Sequence, residues 1–190
     1  MKEVAILCVI VFTGIFLLNL AAGEGYAAAG ESWLGIAVFN PVQYPDQSFS
    51  VRGLRVNAIY ANNKNLSGVD LGLYYNHLKG DLNGFQLSLY NKVEGGGSGL
   101  QLGAVNDIGS NFSGVQLGLA NFSAKYQKGV QLGIYNCGGH VSGLQLGVLN
   151  KAKSLHGLQI GLFNLKEAVG PGIPKSLPMR GFPLINWTFQ

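Results

Sequence analysis

Few side chains in this sequence could do chemistry. Its three histidines are His77, His140 and His156. A metal site needs such ligands brought to one point. His140 and His156 instead lie three residues and one residue before a glycine of the same repeating unit, so stacked units would not superpose them. Asp70, Asp81 and Asp107 also fall at unrelated phases, which leaves no repeated carboxylate pair for glycoside hydrolysis. The sequence holds no calcium-binding nonapeptide, no phosphate-binding loop and no nucleophile elbow. Gly95-Gly96-Gly97 lacks a strand-to-helix context and reads as a turn. Cys8 lies inside the first apolar run, a poor place for lipid attachment. Cys137 has no second cysteine after that run to pair with, so it reads as an idle thiol. No catalytic, cofactor-binding or metal-binding residue is expected, and the chain is not expected to be an enzyme.

The elements that would position any site are set by glycine. It supplies 29 of the 190 residues, about 15 % against a usual ~7 %. Hydrophobic residues make up 47 % and charged residues only 12 %. That composition excludes a charged disordered tail. It excludes a helical bundle as well, since each glycine inside a helix costs about 1 kcal/mol. The glycines belong to a repeat that reads Gly, apolar, Gln, apolar, Gly, apolar, variable, Asn. Clear copies are Gly99–Asn106, Gly114–Asn121, Gly129–Asn136, Gly143–Asn150 and Gly157–Asn164. Gly84–Asn91 and Gly68–Asn76 are variants, Gly53–Tyr60 is divergent, and Trp33–Asn40 is a worn first copy. From Gly53 the starting glycines step by 14 to 16 residues through eight units.

Within each unit apolar and non-apolar residues alternate, the period of a β-strand. A second apolar position precedes each glycine by two: Leu66, Leu82, Phe112, Val141, Leu155. The alternation therefore changes phase at the glycine, where the chain must bend or bulge. The reading is all-β, a β-solenoid of about eight 14–16-residue coils. In it the motif leucines fill the interior, and the asparagines form a ladder bonded to the coil above. The alternative is an up-and-down transmembrane β-barrel with leucines toward lipid and glutamines inside. Against the barrel stand strands shorter than the 9–11 residues a membrane needs, one sense for every unit, and aromatics at one end only. A sandwich is the third architecture.

If the leucines are inside, Gln101, Gln116, Gln131 and Gln145 line up on the outer face, beside a bare row of Gly103, Gly118, Gly133 and Gly147. Such a row would let another backbone, a sheet or a flat ligand approach closely, making this the candidate interaction face. The alternative is that these glycines only permit a tight coil. The partner would be another protein, an envelope component or a second copy.

Residues 1–29 read as a signal peptide: Lys2, an apolar run from Val4 to Leu20, then small residues, with cleavage after Ala29 or near Ala22. An uncleaved anchor is the alternative. Cleavage leaves twelve basic and seven acidic side chains, a net of +5. These are dispersed, with no basic-aromatic patch for nucleic acid. Residues 30–52 form an N-terminal cap, 53–164 the repeat array, and 165–190 a proline-rich connector with a C-terminal capping strand.

The stretch Gly53–Asn76, with Arg55, Asn57, Asn63-Lys64-Asn65 and Gly68-Val69-Asp70-Leu71-Gly72, followed by serial GLQLGxxN units, resembles the leptospiral-type surface-repeat proteins of several bacterial groups. The resemblance spans about residues 33–190, with Ala61 where such proteins have glycine. It implies an exported bacterial protein at the cell surface, outer membrane or periplasm, with a structural or binding role. It carries no catalytic residue and no ligand.

Overall fold

A computed structural model describes residues 30–167 and 180–188. The signal-peptide assignment and the proline-rich part of the connector lie outside these residues. The chain is a β-solenoid of about seven turns, all-β, closed by a C-terminal strand. One wall carries β1 (Glu31–Phe39), β3 (Ser50–Asn57), β5 (Leu66–Gly72), β7 (Leu82–Leu87), β9 (Gly97–Leu102) and β11 (Phe112–Leu117). The other carries β4 (Tyr60–Asn63), β6 (Tyr75–Leu78), β8 (Tyr90–Val93) and β10 (Val105–Ile108). Both walls run into β12 (Ala120–Lys166), a continuous extended segment that winds the later coils. Short β2 (Val42–Tyr44) pairs antiparallel with β1, and β13 (Arg180–Thr188) pairs antiparallel with β12.

Every pairing between successive coils is parallel and keeps like repeat positions opposite, as in Gly114↔Gly99 and Gln116↔Gln101. An up-and-down barrel needs antiparallel neighbours, so that architecture is not the one adopted.

The phase change expected at the first glycine is one of hydropathy alone, since the strand pairing there carries no bulge. The first glycine of each unit has positive φ, from 116° at Gly129 to 154° at Gly114, a region L-residues rarely enter. A Cβ built on Gly114 would also collide with the carbonyl oxygen of Gly99 in the coil beneath. Side-chain alternation runs unbroken through the glycine, so Phe112, two residues before it, and Gln116, two residues after it, both lie on the inner side.

That geometry overturns the inside-outside assignment. The motif leucines do not fill the interior. Inside lie Gln86, Gln101, Gln116, Gln131, Gln145 and Gln159, each with no exposed surface. The apolar core comes from the other positions: Val51, Leu66, Leu82 and Phe112 from one wall, Leu78, Val93 and Ile108 from the other. Val141, Ala152 and Leu155 form a separate cluster further along. Ser123 and Gln127 stand between the two clusters and hydrogen-bond each other at 2.7 Å.

Candidate functional site

Two amide ladders run through the interior. Each glutamine Nε2 donates to the glutamine Oε1 of the preceding coil: Gln101 to Gln86 at 2.8 Å, Gln116 to Gln101 at 2.9 Å, Gln131 to Gln116 at 2.7 Å. Gln145 and Gln159 continue the series at 2.7 and 2.6 Å. The asparagines run the opposite way. Asn91 Nδ2 donates to Asn106 Oδ1 of the next coil at 2.8 Å and to Leu102 O at 2.7 Å. The same pair of bonds recurs at Asn106, Asn121, Asn136 and Asn150. The expected asparagine ladder is therefore present. Because the amide dipoles of the two ladders point in opposite senses, they oppose one another. A buried amide is costly alone. Stacked identical coils supply each one with partners above and below, as in cross-β assemblies.

The proposed interaction face of Gln101, Gly103, Gln116, Gly118, Gln131, Gly133, Gln145 and Gly147 is therefore an interior surface. The four glutamines are fully buried. The glycines face the asparagine ladder: a Cβ on Gly118 would strike Gly103 O and come within 2.8 Å of Asn106 Nδ2. The glutamines are closed to partners, and the half-buried glycines hold successive coils in close approach.

The ladders are capped. At the glutamine position of the first two coils stand Arg55 and Asp70, both buried. Gln86 Nε2 donates to Asp70 Oδ2 at 2.9 Å, and Arg55 pairs with the same carboxylate. Arg55 Nη1 also reaches Asn63 Oδ1 at 3.0 Å and His77 O at 3.2 Å. Asn57, at a glycine position, donates to Asn76 Oδ1 and begins the second ladder in the place Ala61 cannot serve. At the far end Asn186 of β13 donates to Gln159 Oε1 at 2.7 Å. Thus Arg55, Asn57, Asn63 and Asp70 of the N-terminal segment are structural terminators.

What the rod offers outward is apolar. Four columns face out: the residue after the first glycine, the one after glutamine, the one after the second glycine, and the one before asparagine. From Leu54 to Phe163 they hold only Leu, Val, Ile, Ala, Phe and Tyr. The third column forms a ridge at the corner between the walls, with Leu89 54 %, Leu119 58 %, Ile134 55 % and Leu162 57 % exposed. β13 extends the first two columns with exposed Trp187 and Ile185, registered on Leu158 and Ile160. Five residues wide at ~3.3 Å and about seven turns long at ~4.8 Å, the belt projects to roughly 550 Å² before side-chain relief is counted. That lies near the top of the range for the largest patch on a monomeric soluble protein.

The belt ends on polar columns at both sides. One is Arg52, Ser67, Asn83, Ser98, Ser113, Lys128, Ser142 and His156, all exposed. On the other wall, Tyr60, Tyr75 and Tyr90 stack at 5.0 Å between centroids. Each phenol is raised above its usual pKa of 10, chiefly by burial. Beyond them His77 sits 3.2 Å from Tyr60 Oη and 2.9 Å from Glu94 Oε1. Burial pulls its imidazole below 6.5, against the opposing pull of Glu94. Lys92 Nζ meets Asp107 Oδ2 at 2.6 Å, which raises the amine.

Among the described residues no three His, Cys, Asp or Glu side chains come together to hold a metal. His140 Nδ1 lies 2.6 Å from Ser154 Oγ, but at an exposed corner where water competes for both groups. A groove of about 460 Å³ on the second wall is lined by Asp107, Phe122, Cys137, Lys151, Lys153 and Glu167 among others. Cys137 lines it and is free. No helix among the described residues is long and apolar enough to cross a membrane. No family model, curated protein or solved structure matches the chain.

Proposed function

We propose that this chain is an exported bacterial envelope protein with a structural or binding role and no catalysis, working through the outside of its rod. The observation that carries this is the four-column apolar belt. A protein that acted alone in water would not keep its amides inside and its leucines outside along the whole array. The N-terminal sequence, with its apolar run and small residues, supports export, and the GLQLGxxN series supports a cell-surface setting.

Fractionation of producing cells tests the reading. The protein is expected outside the cytoplasm, with the periplasmic or outer-envelope fraction. Its gel mobility should be the same before and after boiling, whereas a closed membrane barrel shifts. Recovery of mature, folded protein from the cytoplasm alone overturns the proposal.

A further inference from the structure

The shape and border of the apolar belt identify what covers it. The ridge of Leu89, Leu119, Ile134 and Leu162 stands at the corner between the two walls. Apolar columns slope away from it on both sides, so a flat partner, such as the same wall of a second copy, covers one slope and leaves the other wet. A fluid apolar phase wets both. The section of the rod is amphipathic in the same sense: exposed Lys64, Lys79, Lys125 and Lys153 lie at the opposite corner.

The two columns bordering the belt are cationic. They carry Arg52 and Lys128 on one side and Lys92 and Lys151 on the other; Lys92 is ion-paired with Asp107 of its own column, so the excess positive charge of the border rests on Lys128 and Lys151. Glu31, at the array's N-terminal end, pairs with Arg52 at 2.8 Å. Long cationic side chains at such a border reach anionic headgroups while their stems stay against apolar surface. The stacked tyrosines occupy the margin between apolar and charged columns, the level at which tyrosine settles in a membrane interface.

We propose that the rod lies along a lipid surface with this corner ridge inserted among the acyl chains, its border cations meeting anionic headgroups. It is a β counterpart of an amphipathic helix lying in the interface plane. The proposal rests on the envelope reading for its supply of lipid. It is tested on purified protein, so it fails or stands independently of where cells send the chain.

The test uses the full chain with Cys8 and Cys137 replaced by serine and one new cysteine carrying an environment-sensitive fluorophore. Ile134→Cys puts the dye on the ridge and Ser113→Cys puts it on the polar column. Both positions point outward, and circular dichroism checks that the β signal is kept. Vesicles of phosphatidylcholine with a minority of phosphatidylglycerol should brighten and blue-shift the dye at 134 several-fold more than at 113. Adding Leu119→Lys and Leu162→Lys should weaken the response at 134 by at least about tenfold, since burying one leucine is worth 1.5–3 kcal/mol. An unchanged dye at 134 overturns the proposal. So do equal responses at both sites, which mark tethering by residues 1–29. A shift at 134 that follows protein concentration without vesicles also overturns it and assigns the ridge to a second copy.

Discussion

The guanidinium of Arg55 holds the carboxylate of Asp70 by two hydrogen bonds, Nε to Oδ1 at 2.8 Å and Nη2 to Oδ2 at 2.6 Å, where the glutamine ladder ends. The ladder presents amide N–H groups toward the N-terminus, so its last donor meets an anion, and the next coil supplies the cation. Both groups are buried, Arg55 at 1 % and Asp70 at 0 % exposure.

Removing one partner of this pair should therefore hurt more than removing both. Arg55→Gln leaves a buried carboxylate with one amide donor and should cost about 3–5 kcal/mol. Arg55→Gln with Asp70→Gln extends the glutamine column by two rungs and should recover more than half of that loss. Asn63 Oδ1 and His77 O then still lack the Arg55 donor, so recovery should be incomplete. Urea midpoints of the three proteins decide it. Equal losses in single and double variants would show that the column cannot be extended.

Much of this architecture is legible in the sequence, and the main error has a physical cause. The period, the stacking of like positions and the capping strand follow from spacing, whereas the bulge expected at the first glycine is absent because the alternation never breaks. The side of the leucines does not, because a hydropathy pattern assigns apolar residues inward. Stacking reverses that preference here by turning each amide's burial cost into two satisfied bonds. A signal was present within the array. The glutamine and asparagine positions hardly vary from Gln86 to Asn164, while the apolar positions wander among Leu, Val, Ile, Phe and Ala. Ladder positions tolerate little and solvent-facing ones much. The barrel reading had the right facing with the wrong strand order, and the solenoid reading the reverse.

Cutting the ladder in the middle should be costly even with a residue of similar size. Gln116 donates to Gln101 and accepts from Gln131 at 2.7 Å, with Ser123 Oγ 3.1 Å from its Oε1. Gln116→Leu orphans the Gln101 acceptor and the Gln131 donor, each worth about 1–3 kcal/mol when buried unmet. A loss of roughly 2–6 kcal/mol in chemical denaturation is expected. A loss under about 1 kcal/mol would show that the amides are not acting as a connected chain.

The glycine row separates a binding surface from a structural one. Gly118→Val places a branched side chain against Gly103 O and Asn106 Nδ2, so the coils cannot stack and the protein should fail to fold. Leu119→Asn, one residue on and pointing out, should leave the fold intact. Circular dichroism and limited proteolysis of the two variants give the comparison. A folded Gly118→Val protein would return this row to the surface.

The imidazole of His77 makes the N-terminal part of the second wall acid-sensitive. Its ring stacks on Tyr75 at 5.8 Å and contacts Tyr60 and Glu94 through its two nitrogens. Burial is the larger influence and depresses the pKa below 6.5, and the Glu94 hydrogen bond and charge only partly restore it. The unfolded chain then binds a proton more readily than the folded one. The stabilisation is fully present above the unfolded value and is lost as pH falls from there through the folded value. Urea midpoints should therefore drop between pH 7.5 and mildly acidic buffer, below about 6.5, and His77→Phe should flatten that segment of the profile. Glu94→Gln should steepen it, because the opposing carboxylate is gone while the burial remains. A profile that His77→Phe leaves unchanged would assign the acid sensitivity to another group.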